Sequence, residues 1–273
     1  MKTIVVPTDF SKCAANAMVF ALEVAKQINA KILALYVVYP SEGVDNSTYD
    51  AFMIDDYLQD RQKAMNAWAK RIKRSDHVKD VVIETECRIG FPVSVIGHTA
   101  AQLNADMIIM GTTGAAGLKG VFLGSIAGGV LASNNRPVLV IPKTAKFKNY
   151  ARFVLATDFN MTLGPRSMQV LKALLDVEHA GLEVVNVIGE QGEKPSKAEE
   201  NAFSKKLDNI PHLFHYIHDK NVPRAINNFI ESIDASGLVT IAHAHSLFHK
   251  LFFKSVSRSL AHRIKIPMLV LHG

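Results

Sequence analysis

Only two cysteines, Cys13 and Cys87, occur in 273 residues. That is too few for a disulfide framework or a four-cysteine zinc motif, and no CxxC is present. A reducing compartment is therefore expected, with stability drawn from packing. Long hydrophobic runs are also missing. The longest, Ile32 to Tyr39, has eight residues, against the roughly 20 that cross a bilayer as a helix. The opening stretch Met1-Lys2-Thr3-Ile4-Val5-Val6-Pro7-Thr8-Asp9 does not read as a signal peptide, because Pro7 and Asp9 interrupt its apolar run. A cytoplasmic protein with no membrane partner is the expectation. Excess charge of one sign is small, since 31 Lys and Arg face 25 Asp and Glu for a net +6. Residues 1–150 carry 17 basic and 13 acidic side chains and the remainder 14 and 12, so neither part is strongly basic. No Lys/Arg run is interleaved with aromatics, and nucleic acid is not an expected partner. What is plentiful is apolar material, 48% of the chain, which excludes wholesale disorder.

Two residue types are unevenly distributed. Ten of the 16 glycines lie within residues 1–150, whereas nine of the 11 histidines lie beyond them. An internal repeat runs across the same division. Val5-Val6-Pro7-Thr8-Asp9-Phe10 is echoed by Val154-Leu155-Ala156-Thr157-Asp158-Phe159, Gly90-Phe91-Pro92 by Asn221-Val222-Pro223, and Arg136-Pro137-Val138-Leu139-Val140-Ile141 by Ile266-Pro267-Met268-Leu269-Val270-Leu271. The offsets are 149, 131 and 130 residues, so the second copy is shorter by about 18 between its second and third strands, where the first carries the polar stretch Ser41 to Asp50. Two homologous domains follow, 1–146 and 151–273, joined near Thr144 to Tyr150.

Within the first copy, β-rich runs at 3–6, 31–38, 81–89, 107–110 and 138–141 alternate with segments of helical period, the pattern of a parallel sheet with crossover helices. The expected class is α/β, as two tandem doubly wound five-stranded parallel-sheet domains. Ser11 is a good N-cap for a first helix whose Ala14, Ala17, Met18, Ala21, Leu22, Ala25 and Ile28 form an apolar stripe. Further helices are expected at about 54–73, at 92–103 with Pro92 in the first turn, and from Ser125. Right-handed crossovers place the first strand beside the fourth, and ligands bind outside the carboxyl ends of strands at that reversal. The loops after Val6 and Met110 are therefore the candidate site.

After the fourth strand comes Gly111-Thr112-Thr113-Gly114-Ala115-Ala116-Gly117-Leu118-Lys119-Gly120-Val121-Phe122-Leu123-Gly124-Ser125. Glycines allow positive φ and close backbone approach, so successive N–H groups can converge on a phosphate. Gly124 and Ser125 stand where the next helix supplies its unbonded N–H groups and positive dipole end. The run is neither a P-loop nor a dinucleotide GxGxxG fingerprint. Gly111-x2-Gly114-x9-Gly124-Ser125 resembles the phosphate and ribose motif of the ATP-binding branch of the universal stress protein family. Pro7-Thr8-Asp9-Phe10-Ser11 and Arg136-Pro137-Val138-Leu139-Val140-Ile141-Pro142 resemble that family too, and tandem copies of this length occur in it. The resemblance implies an adenine nucleotide alpha hydrolase-like fold that binds ATP, ADP or AMP, with Mg2+ held mainly by the phosphates. It further implies that Asp9, with Pro7 and Thr8 before it, meets the ribose or adenine side. Val37 would offer backbone groups to the adenine edge, Met110 and Gly111 would line the nucleoside, Gly114 would turn toward the phosphates, and Gly124 and Ser125 would hold them. The competing reading is a plain flexible loop, with Asp9 serving only as a helix cap.

Aligned on Pro267, the second copy reads Ile241-Ala242-His243-Ala244-His245-Ser246-Leu247-Phe248-His249-Lys250-Leu251-Phe252-Phe253-Lys254-Ser255. Ala242 and His245 stand where Gly111 and Gly114 stood, and Lys254 replaces Gly124, so a degenerate half without ATP is expected. His243 and His245, two apart at a strand end, point to one side and with His249 or His262 form a candidate zinc set. His212, His215 and His218 are spaced three apart, which turns neighbours to opposite faces of a strand. No carboxylate or cysteine lies at a recognised spacing, so solvated or core histidines are expected. Cys13 reads as a small packing residue at the start of the first helix, and Trp68 as core or interface.

The leading functional expectation is a stress-response regulatory protein that binds ATP in its first domain and signals through its degenerate second domain or a dimer surface to an unidentified protein partner. The family resemblance also implies an intramolecular pseudo-dimer through the last strands, with a further homodimer as an option. The alternative from the enzyme class is slow ATP hydrolysis or autophosphorylation on Ser125, Thr112 or Thr113. A third is a nucleotide-free or zinc-binding scaffold.

Overall fold

The computed structural model describes residues 2–39, 51–73, 76–114, 123–147, 152–159, 163–175, 181–190, 192–242 and 265–272. It divides into two units, 1–136 with 140–144, and 145–273 with 137–139. In unit 1, β1 (Lys2–Thr8), β2 (Ala30–Val38), β3 (Ile83–Ile89), β4 (Met107–Gly111) and β5 (Val138–Ile141) alternate with α1 (Lys12–Ile28), α2 (Ala51–Ile72), α3 (Pro92–Gln102) and α4 (Ser125–Ser133). The strand order is β3-β2-β1-β4-β5, and β1 runs parallel to both β2 and β4. Winding therefore reverses between β1 and β4, as the crossover rule requires.

Local chemistry accounts for the elements. Ser11 caps α1 by accepting a hydrogen bond from Ala14 N at 3.1 Å, and Asn29 closes that helix in the left-handed region. The stripe Ala14, Ala17, Met18, Ala21, Leu22 and Ala25 is buried, with Cys13, Phe20 and Val24 added to it. Pro92 occupies the first turn of α3, where its missing N–H would have had no partner. Strands β1, β2 and β4 are apolar along nearly their whole length because helices cover both faces. Pro7 sits inside β1 but past the last β4 pair, Val5 with Ile108. Its missing N–H faces the β4 side, where no ladder bond is lost, and the two strand ends part there.

Strand β3 ends its sheet, an exposed position that invites unwanted pairing. Gln62 of α2 covers it. Its Nε2 donates to Thr85 O at 3.1 Å and its Oε1 accepts from Cys87 N at 3.1 Å, so one side-chain amide mimics a neighbouring strand. Gln62→Leu is expected to lower stability by about 1–2 kcal/mol through the lost hydrogen bonds to Thr85 and Cys87 and to increase self-association. Denaturant titration and sedimentation velocity measure both, and an unchanged sedimentation profile would count against the capping role.

Unit 2 repeats the scheme with β6 (Phe153–Ala156), α5 (Pro165–Leu175), β7 (Leu182–Ile188), α6 (Lys197–Lys206), β8 (His212–His218), α7 (Val222–Ser232), β9 (Gly237–Ala242) and β10 (Met268–His272). Its order is β8-β7-β6-β9-β10, with β6 parallel to β7 and β9 and β9 parallel to β10. Among the described residues no helix is long and apolar enough to cross a membrane.

Candidate functional site

The crevice lies at the carboxyl ends of β1 and β4. Asp9 follows β1 directly, and three local devices fix its place. Thr8 Oγ1 accepts from Phe10 N at 3.0 Å, Asp9 Oδ1 accepts from Ser11 N at 3.1 Å, and Phe10 adopts a left-handed φ of 62°. A non-glycine residue there costs energy that its surroundings must offset. The Phe10 ring stacks on Tyr36 at 4.9 Å and meets buried Trp68 edge-on at 6.0 Å. That packing holds the turn, and with it the carboxylate that α1 begins beneath.

On the other side, β4 ends with Met110, buried, and Gly111. A Cβ on Gly111 would stand 2.9 Å from Cys13 Sγ and 3.2 Å from the Cys13 carbonyl carbon, so α1 and β4 meet with no room for a side chain. A Cβ on Gly114 would stand 2.8 Å from Asp9 Oδ2, which brings the loop backbone against the Asp9 carboxylate. Gly124 N donates to Thr112 O at 2.7 Å, pinning the start of α4 to the end of β4. Gly124 is the N-cap of α4 and supplies no side-chain cap, so a carboxylate or hydroxyl of its own does not occupy the first-turn N–H groups. Ser125 is exposed at that terminus. Such an end is a ready donor set for an anion.

Of the two uses expected of these glycines, positive φ and close approach, the structure shows the second. Among the described residues only Gly90 has a positive glycine φ, at 149°, whereas Gly124 sits at −69°. Gly111 and Gly114 thus serve close approach and not handedness, whereas a Cβ on Gly124 would make only ordinary contact, 3.4 Å from Thr112 O. Thr112 is corrected as well. It is 4% exposed, its N–H donates to Ile141 O at 3.1 Å, and its hydroxyl lies 3.8 Å from Cys13 Sγ. That hydroxyl faces the core.

Val37 is half-buried, next to last in β2. Val38 O accepts from Gly90 N on the β3 side, so strand alternation turns the Val37 backbone to the β1 side. Its carbonyl lies past Thr8, the last β1 residue in register with β2. Asp9, Gly114, the start of α4 and the end of β2 therefore lie together at the carboxyl ends of the strands. Residues 115–122 fall outside the described residues.

A sequence profile of the universal stress protein family matches residues 1–142 and 169–272. The chain belongs to the universal stress protein family. It is 36% identical over 147 residues to a universal stress protein of Methanocaldococcus jannaschii, covering 53% of this chain and 84% of that one. It is 25% identical over 148 residues to a universal stress protein of Synechocystis, covering 50% and 96%. In fold, it resembles the crystal structure of a universal stress protein from Archaeoglobus fulgidus with a TM-score of 0.75, at 20% identity and 99% and 98% coverage. The two profile matches correspond to the internal repeat, and the universal stress protein fold accounts for both units.

The second universal stress protein unit keeps the turn that follows the first strand. Phe159 has φ 65°, its N–H donates to Thr157 Oγ1 at 2.9 Å, and its ring lies 4.9 Å from Phe203 and 5.6 Å from Phe214. The turn that positions Asp9 is thus rebuilt at Asp158. Just after β8, the Arg224 guanidinium holds the Asp219 carboxyl below its usual range through a two-pronged pair, Nε to Oδ2 and Nη2 to Oδ1. Between α6 and β8, Lys197 first and Tyr216 second hold the Glu200 carboxyl below its usual range, while burial first and Glu200 second push the Tyr216 phenol up. Beyond Ala242 the comparison stops, because His243, His245, His249, His262 and Lys254 lie outside the described residues. His212 donates or accepts at Ser204 Oγ, 2.9 Å away, and His215 pairs with Glu183 Oε2 at 2.6 Å. Among the described residues no group of three metal-binding side chains gathers.

Both thiols are passive by environment. Cys13 is buried, and burial raises the Cys87 thiol to about 11 despite the lowering field of Arg61.

Proposed function

We propose that the chain is a nucleotide-binding regulatory protein of the stress response that takes one adenine nucleotide in unit 1. The observation that carries this is the uncapped start of α4, tied through Gly124 to Thr112 and facing a loop that lies against Asp9. A phosphate supplies the anion that this helix end lacks, and its oxygens accept from the first-turn N–H groups of α4. Asp9 accepts from ribose hydroxyls. The Val37 carbonyl, turned to the β1 side, accepts from an amino group on the base. Any Mg2+ would ride on the phosphates, where it neutralises their charge, with no cluster of protein carboxylates to hold it among the described residues. Unit 2 has Ala242 and His245 in place of the first two glycines and binds no ATP. Occupancy of unit 1 is what a protein partner would read.

Calorimetric titration with ATP tests the reading. One site per chain is expected, with negligible phosphate release. Two equivalent sites would overturn the asymmetry between the units, and no binding would overturn the proposal.

A further inference from the structure

We propose that Cys13 positions the phosphate-binding end of α4, acting through Thr112; this rests on the nucleotide site proposed above. Cys13 Sγ donates toward Ile141 O at 3.5 Å and lies 3.8 Å from Thr112 Oγ1. Thr112 N donates to the same Ile141 carbonyl at 3.1 Å, and Thr112 O accepts from Gly124 N at 2.7 Å. One buried residue therefore connects the first turn of α1, the end of β5 and the N-cap of α4. The height of Thr112 above α1 sets where the α4 N–H groups stand.

Gly111 gives that height a narrow tolerance. Its Cα packs so closely that an added Cβ would reach Cys13 Sγ at 2.9 Å and Cys13 O at 3.3 Å. Cys13 is 2% exposed and Thr112 4%, so a bulkier or branched side chain at position 13 has no solvent to retreat into. It must lift Thr112, and Gly124 moves with it. A close-packed interior passes such a displacement on instead of absorbing it. Val37, on β2, lies outside this chain of contacts, and Asp9, which follows β1, meets it only through the Gly114 backbone and is held separately by Ser11 N. The thiol acts through its size and its bond to Thr112 and Ile141, and no redox step is involved.

The proposal separates phosphate recognition from nucleoside recognition, so the test compares ATP with adenosine on the whole chain. In Cys13→Val, ATP affinity is expected to fall about tenfold or more, the scale of a lost charge-assisted hydrogen bond, with adenosine affinity within about twofold of the parent. Cys13→Ser keeps a donor for Ile141 and Thr112 and is expected to retain the parental ATP-to-adenosine ratio. Cys13→Ala, which creates space instead of filling it, guards against a variant that fails to fold. It should loosen the loop, with an ATP loss of about threefold. Equal losses for ATP and adenosine, or no loss for either in Cys13→Val, would overturn the positioning role. Should the parent bind no ATP, the nucleotide reading fails separately. Amide exchange then decides, since Cys13→Val must still speed exchange at Gly124 while leaving β1 and β2 protected; unchanged exchange there would overturn it.

Discussion

Gly114→Val is expected to lower ATP affinity by at least about 100-fold, the equivalent of about 2.7 kcal/mol, while leaving the fold intact. The position needs space. A Cβ placed on Gly114 lies 2.8 Å from Asp9 Oδ2, and valine adds two methyl groups beyond it. Asp9 cannot simply swing aside, because its other oxygen accepts from Ser11 N at 3.1 Å and Ser11 begins α1. Either the carboxylate loses that bond or the loop lifts away from α4, and each outcome removes part of the nucleotide site. Gly114 itself is exposed, so no core is lost and the stability change should stay within about 1 kcal/mol. Calorimetry for binding and thermal unfolding for stability separate the two effects. Near-parental ATP affinity in this variant would place the phosphates elsewhere. Gly114→Ala introduces the same Cβ without the branches and should be milder, since Asp9 can yield by a few tenths of an ångström.

Gly237→Val should destabilise unit 2 by about 2–3 kcal/mol, the upper part of the range for overpacking a filled site. Gly237 opens β9 directly opposite Phe153 in the parallel β6–β9 ladder. The Phe153 ring lies across the glycine, with Cε1 2.3 Å and Cδ1 2.5 Å from where a Cβ would stand. No rotamer of valine avoids the ring. Phe153 is half-buried, so it can rotate outward, but it then loses apolar contact with its neighbours. The two residues are coupled by this account. Phe153→Ala should cost stability alone and yet recover part of the loss caused by Gly237→Val, giving a double-mutant coupling of about 1 kcal/mol. Denaturant titration with amide exchange on β6 and β9 measures the cycle. Strict additivity of the two substitutions would show that the ring contact does not cause the effect.

Those two glycines show why parts of the molecule were legible and others were not. Alternation and helical period are properties of consecutive residues, so β2, β5, α1 and α3 could be bounded to within a residue or two. Ser11 and Pro92 marked helix starts because a cap and an N1 proline act within one turn. The adjacency of β1 and β4 followed from handedness. The repeat placed Asp9 against Asp158 and Gly111 against Ala242 before any coordinates. By contrast, the glycine-rich run suggested both positive φ and close approach to a ligand, whereas Gly111 and Gly114 are needed for proximity to Cys13 and Asp9 of the chain itself. Thr112 looked like a free loop hydroxyl and is turned inward. Nothing in the spacing of Phe10, Tyr36 and Trp68 announced the aromatic anchor under the Asp9 turn, nor that Gln62 would bond to the edge of β3.

By itself, the sequence determined the α/β class, the two-fold repeat and the order of elements, because these depend on local periodicity and chain handedness. Only the tertiary structure decided which glycines are indispensable, which hydroxyl faces the core and what holds Asp9 in place. Those are contacts between residues as far as a hundred positions apart, and their distances are set by how strands and helices pack, which no single segment encodes.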